Sequence, residues 1–186
     1  MSSEYHFFTE WHFRASRDEI NEILADATDL PRWWPSVYLS AERIKMGDAQ
    51  HVGETIRLYT KGYLPYTLKW EFTITKADPL TLEAKGDFIG RGIWTFEPQG
   101  ENIVVKYDWK IHAEKPLLKR LSFIMRPIFS WNHHWAMEMG RQSIELELSR
   151  RRAKTEAERL AIPAPPPPTP SNFLAWLLLP LRRKKQ

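Results

Sequence analysis

Two adjacent histidines, His133-His134, are the side chains in this sequence with the widest choice of chemistry. On a helix, neighbouring residues project about 100° apart, so the pair does not readily share one metal ion. His134 has i,i+4 spacing to Glu138, but both fall on the polar side of the helix, where an ordinary ion pair is expected. An acid–base mechanism through histidine needs a partner carboxylate within reach. Asp87 and Asp108 are the candidates, yet Asp108 alternates with Tyr107 and Trp109 and should face water. Gly90-Arg91-Gly92 leads into a strand and not a helix, so it is no phosphate loop. The absence of cysteine excludes disulfides, thiolate metal sites and a cysteine nucleophile, and fits a reducing compartment. No catalytic residue, metal or cofactor is assigned.

Binding offers more than catalysis. Aromatic residues make up 13% of the chain and nine of them are tryptophans, more than packing requires. Tryptophan and tyrosine join a broad apolar body to one polar handle and suit sites that meet both oil and water. From Val37 to Ala113 the pattern has period two. Leu68, Trp70, Phe72 and Ile74 alternate with Lys69, Glu71, Thr73 and Thr75, and Ile103, Val105, Tyr107, Trp109 and Ile111 alternate with polar neighbours. This marks antiparallel strands with one dry face. Strands are also expected at 5–14, 37–45, 54–60, 81–88 and 92–97, seven in all.

Helices flank this run. Ser16 and Glu19 form a capping box before Ile20, Ile23 and Leu24, and Asp29-Leu30-Pro31 opens a shorter helical turn that ends at Trp33-Trp34-Pro35. A long helix is expected from Pro127, a residue suited to a first turn, to at least Arg152. Its solvent wedge is His134, Glu138, Arg141, Gln142 and Glu145, with Ile128, Trp135, Met139 and Leu146 opposite and Phe129, Ala136 and Gly140 beside them. Asn132, His133 and Ser143 fall inside the apolar arc. This helix should cover the concave face of the sheet.

The net charge of +4 is unevenly placed. Residues 1–149 carry −3 and residues 150–186 carry +7. A basic tail without a basic domain or nucleic-acid motif points to an anionic surface and away from nucleic acid. The run from Pro163 to Pro170 reads as an extended spacer about 25 Å long, at ~3.1 Å per residue. Beyond it, the apolar run from Phe173 to Leu181 would reach only about 14 Å as a helix, against a hydrocarbon core of about 30 Å. It cannot span, but it can lie in the interface. The membrane-binding set is Phe173, Leu174, Trp176, Leu177, Leu178 and Leu181, with the cations Arg182, Arg183, Lys184 and Lys185. The competing reading is a tail that docks on a protein. The N-terminus lacks the features of a secretory signal, so the expected location is cytoplasmic, at the inner face of the membrane.

Strand, two short helices, six strands and a long helix is the order of the helix-grip fold, an α+β architecture. Ala15-Ser16-Arg17-Asp18-Glu19, Trp33-Trp34-Pro35, Gly86-Asp87-Phe88 and Trp94-Thr95-Phe96 resemble the polyketide cyclase/dehydrase branch of the START-like (SRPBCC) superfamily. The resemblance covers residues 5–150. It implies a cavity between sheet and helix that holds a lipid-, quinone- or polyketide-like molecule, and it transfers no catalytic residue. The expected lining is Trp70, Phe72, Trp94, Phe96, Tyr107, Trp109, Asn132, His133, Trp135, Met139 and Ser143. The expected organisation is a ligand-binding domain over 1–160, a linker over 161–170 and a membrane-associating tail over 171–186. Two functions stay open: a carrier of a hydrophobic ligand at the membrane, or a cyclase/dehydrase-type enzyme acting on an apolar substrate.

Overall fold

The computed structural model describes residues 4–113 and 116–177, and of these every side chain except those of 113–126, 175 and 176. Strand β1 (Glu4–Phe13) is followed by helix α1 (Arg17–Leu24), a 3-10 turn (Ala27–Asp29) and helix α2 (Leu30–Trp33). Strands β2 (Tyr38–Lys45), β3 (Thr55–Lys61), β4 (Thr67–Lys76), β5 (Leu80–Gly86), β6 (Phe88–Gln99) and β7 (Asn102–Ala113) then run as a meander. The long helix α3 (Pro116–Arg152) precedes two short helices, α4 (Glu156–Ala161) and α5 (Phe173–Leu177). The seven strands form one antiparallel sheet in the order β1-β7-β6-β5-β4-β3-β2. The two edge strands, β1 and β2, are therefore the ones joined through α1 and α2. This is the helix-grip arrangement.

Local chemistry sets most boundaries. Ser16 caps α1 by accepting from the Glu19 amide, and Glu19 accepts from the Ser16 amide in return. The 3-10 turn is capped by Asp26, which accepts from Thr28, while Asp29 makes no capping bond to α2. The side chain of Asp29 instead accepts from Arg32. Arg32 also forks onto Glu147 at 2.7 and 3.0 Å, which fastens α2 to α3. Arg32 and Arg151 beside Glu147 hold its carboxyl below the usual carboxylate range. A second capping box, Thr155 with Glu158, starts α4.

Two expectations about α3 are corrected. It begins at Pro116, with Pro127 in its interior. A proline there removes one amide donor and pushes against the carbonyl four residues back, yet the helix continues through it. Its buried face is also turned from the expected stripe. Ile128 is exposed, and Trp135, Met139 and Leu146 are only half-buried, while Met137, Gly140, Ser143, Ile144, Glu147 and Leu148 are buried. The reason is close approach. A Cβ at Gly140 would lie 2.3 Å from the Trp34 ring, so the helix seats Gly140 on that indole. Trp135, Met139 and Leu146 are left at the flanks of that face.

The core is solid at one end of the sheet. Trp11 and Phe13 of β1, Ile103 and Val105 of β7, Ile20 and Ile23 of α1, and Ile144 and Leu148 of α3 are all buried. Among the described residues, no helix is long and apolar enough to cross a membrane.

Candidate ligand cavity

At the other end of the same sheet the packing opens into a cavity of about 160 Å³. Successive inward residues of the strands build its floor: Tyr5 and Phe7 of β1, Tyr107, Trp109 and Ile111 of β7, and Leu68 and Trp70 of β4. Helix α3 supplies the roof through Phe129, Asn132, His133, Ala136 and Met137. Trp34, Val37 and Tyr38 close the inner end, and Thr60, Lys61, Gly62 and Tyr66 form one lip.

The walls are mainly aromatic and held by one another. Trp94, Tyr107 and Trp109 make a column, with centroid separations of 4.1 and 5.6 Å. Phe7 stacks on His133 at 4.2 Å, and Trp70 packs against Phe88 at 4.8 Å. The Trp70 indole N–H donates to Thr60 Oγ1 at 2.9 Å, which fixes the ring. Such offset and edge contacts keep broad faces rigid while leaving gaps that flexible aliphatic chains would fill.

Polar groups on the walls are neutral with one exception. His133 Nε2 is buried without a hydrogen-bond partner, and burial holds the imidazole down at about 3, so it is uncharged at neutral pH. Burial pushes the Tyr38 and Tyr107 hydroxyls up, and Tyr66 up to about 12. Asn132 is committed to structure, because its Oδ1 accepts from the Leu64 amide at 3.1 Å. Gly62 approaches the Asn132 side chain so closely that a Cβ would meet it at 2.3 Å. The exception is Lys61, which is almost fully buried and which desolvation pushes down to about 8.

Lys61 has an unexpected partner. Its ammonium donates to the backbone carbonyls of Thr169 and Pro170, the latter at 3.0 Å. The Thr169 hydroxyl donates to the carbonyls of Gly62 and Tyr63, at 3.2 and 3.0 Å. Arg150 donates to the Pro163 carbonyl. The proline segment is therefore no free spacer. It returns along the domain as a strap and is pinned to the lip of the cavity. Side-chain patterns could not have shown this, because the strap's contribution is mostly backbone carbonyls.

Of the residues expected to line the cavity, Trp70, Tyr107, Trp109, Asn132 and His133 do so. Phe72 and Trp94 are buried in the core behind the walls. Phe96 is half-buried beneath the Arg17 guanidinium. Trp135 packs against Tyr63 at 5.4 Å, Met139 lies on a flank, and Ser143 is fully buried without reaching the space. The residues missed lie on β1, at the inner end around Trp34 and Tyr38, on the lip, on the strands at Leu68, Phe88 and Ile111, and on α3 at Phe129, Ala136 and Met137. Tyr5 and Phe7 carry the same period-two signal as β7, whereas Lys61 and Gly62 carry none. Phe173, Leu174 and Leu177 are exposed on α5. The side chain of Trp176 and residues Leu178, Leu181, Arg182, Arg183, Lys184 and Lys185 lie outside the described residues.

The two histidine rings stand 6.2 Å apart and nearly perpendicular, and His134 Nδ1 bonds to the Ser130 carbonyl at 2.7 Å. Asp108 pairs with His6 on the outer face at 2.8 Å, and Asp87 accepts from the Lys69 amide. Neither carboxylate is among the residues that line the cavity. Among the described residues, no group of three potential metal ligands is found.

No protein-family model matches the sequence, and no characterised protein matches it. Solved structures do match the fold. The protein TTHA0849 from Thermus thermophilus superposes with a TM-score of 0.61 at 16% identity, over 80% of this chain and 100% of that one. The Zhui aromatase/cyclase from Streptomyces sp. R1128 gives 0.56 at 13% identity, over 81% and 97%. A START superfamily protein from Mycobacterium smegmatis gives 0.51 at 13%, over 71% and 97%. The chain has the helix-grip fold of these START-like structures. The strap and α5 follow the helix with which that fold ends.

Proposed function

We propose that this protein binds a small hydrophobic molecule in the cavity and carries it at the cytoplasmic face of a membrane. The observation that supports binding is the aromatic cavity itself, with neutral walls and a defined lip. Its size narrows the ligand. A dry cavity of roughly 150 Å³ holds a benzene-sized molecule, whereas drug-sized ligands need about 300–1,000 Å³. A quinone- or polyketide-like ring, or the end of one acyl chain, fits better than a whole diacyl lipid. The basic, apolar tail supports the membrane location.

The enzyme reading draws on Lys61 and His133, both on the cavity wall. Lys61, however, is hydrogen-bonded to the strap, and His133 has its Nε2 covered by protein. Neither is presented to a ligand as a free acid or base, which favours carriage over catalysis.

Native mass spectrometry of freshly purified protein, together with titration of naphthalene-type fluorescent probes, tests the proposal. Binding should perturb tryptophan fluorescence. Ala136→Phe, which places a ring in the cavity, should weaken binding at least tenfold, of order 1.4 kcal/mol or more. Equal binding by the variant would remove the cavity as the site.

A further inference from the structure

We propose that the proline strap is a kinetic latch on the cavity, slowing the entry and release of a ligand without setting how tightly it is held. The inference rests on the cavity reading above and adds how the cavity opens. Lining residues outside the strands and helices lie in two places, Trp34 and Val37 in one and Gly62 and Tyr66 in the other. The first is locked, because Trp34 is buried against Gly140 of α3 and its amide donates to the Leu30 carbonyl at 2.8 Å. The second is the β3–β4 loop. Its residues 63–66 are only half-buried and lie beyond the β3–β4 ladder, which ends where Lys61 faces Thr67. A segment with few backbone hydrogen bonds opens at the lowest cost, so this loop is the door.

Two sets of contacts keep it shut. From α3, Asn132 Oδ1 accepts from the Leu64 amide at 3.1 Å, and Trp131 and Trp135 pack edge-on against Tyr63 at 5.0 and 5.4 Å. From the strap, the Thr169 hydroxyl shares its one proton between the Gly62 and Tyr63 carbonyls. The Thr169 and Pro170 carbonyls accept from Lys61 beside the loop. The far end of the strap is fastened close to the end of α3, where Arg150 donates to the Pro163 carbonyl. Five of the seven residues 163–169 are proline. Such a run is stiff and extended, reaching about 19 Å at ~3.1 Å per residue. Tied at Pro163, it keeps Thr169 near the loop even when the bonds there break.

The strap acts on rates because it holds the door and not the ligand. Among the described residues, none from 163 to 170 lines the cavity, so a bound molecule meets the strap only through the loop. Contacts present equally in the empty and the filled cavity shift no binding equilibrium. They do stabilise the closed loop against the open one, and entry and release both pass through the open one. Loosening the latch therefore speeds both steps by the same factor. Their ratio, the dissociation constant, stays where it was.

Stopped-flow mixing of the full-length protein with 2-naphthol, followed through tryptophan fluorescence, with release measured by dilution, tests the latch. Thr169→Val keeps the shape of the side chain and removes its donor. Both rate constants should rise about fivefold, the effect of one ordinary hydrogen bond, with the dissociation constant changed by less than about twofold. Position 169 lies outside the sheet-and-helix core, so the variant folds. Arg150→Met frees the far end of the strap and should raise both rates about twofold. Glu147, 3.7 Å from Arg150, keeps Arg32 and Arg151 as partners, so α3 stays anchored in that variant. No change there would confine the effect to the lip and overturn the strap as the latch. Unchanged rates in Thr169→Val overturn the latch and leave the cavity standing. Faster release with unchanged entry, and so weaker affinity, overturns it as well, by making the strap part of the binding site. Failure of the wild-type protein to bind 2-naphthol overturns the cavity reading and the latch with it.

Discussion

The two ends of the sheet share the same strands and the same helix, yet one is solid and the other hollow. Along β7 and α3 the residue types differ between the two ends. At the solid end β7 contributes Ile103 and Val105 and α3 contributes Ile144 and Leu148, all buried. Branched aliphatic chains interdigitate to the density of an organic crystal. At the hollow end the same elements contribute Tyr107, Trp109, Phe129 and His133. Flat rings stack there, Tyr107 on Trp109 and Phe7 on His133, and space remains beside them. Cover differs as well. Helices α1 and α2 lie over the solid end, whereas the 61–66 loop and its strap lie beside α3 at the hollow end. Stability and binding capacity are thus divided along the length of one domain.

The sharpest test of that division is Ile144→Ala. It removes a fully buried side chain at the solid end and should cost about 2–5 kcal/mol in urea or thermal unfolding. A cost below about 1 kcal/mol would show that this end is not tightly packed.

The next effect depends on pH. His133 is held down at about 3 in the fold, against roughly 6.5 when unfolded. Between these values the unfolded chain binds a proton that the native one does not, so this residue makes stability fall as pH falls below about 6.5. The loss by pH 5 is about 2 kcal/mol. His133→Phe should remove it, and comparison of urea midpoints at pH 7 and pH 5 would show whether the slope disappears.

At the solid end, Glu147→Gln should cost about 1–2 kcal/mol at pH 7, because the buried carboxylate is replaced by an amide that cannot pair with Arg32, itself half-exposed and partly screened. The depressed carboxyl contributes above its unfolded value, near pH 4.3, and its contribution fades as pH falls through the lower folded value. The deficit of the variant should therefore shrink in strong acid. An unchanged deficit at pH 2 would assign the effect to packing.

The smallest effect belongs to the hollow end. Ala136→Phe should lower stability by no more than about 1 kcal/mol, since the new ring enters vacant space. A larger loss would mean that the cavity wall yields less room than its volume suggests.

Much of the fold could be read from the sequence because alternation along β4 and β7 and the Ser16–Glu19 capping box are local signals. The course of α3 was harder. Local chemistry places Pro127 in a first turn, since an interior proline loses a hydrogen bond and clashes with the preceding turn, yet the helix runs through it. The buried face differs because hydrophobicity alone does not register the close approach of Trp34 to Gly140, which goes with burial of Met137, Ile144 and Leu148 instead of Trp135, Met139 and Leu146. The cavity was half legible. Its floor follows from strand periodicity, but its lip depends on a loop and on backbone carbonyls of the proline strap. A run such as Pro163–Pro170 advertises extension and says nothing about where it lies.

The contact between Gly140 and Trp34 has a consequence for the size of the ligand. Trp34 lies between the helix and the inner end of the cavity, so the thickness of one indole gauges how high the roof stands above the floor. The missing Cβ at 140 lets the helix rest directly on that gauge. Any side chain there would act as a shim, lifting the helix or turning the ring, and would resize the cavity without touching a bound molecule. The volume open to a ligand is thus set in part by an atom that position 140 does not have.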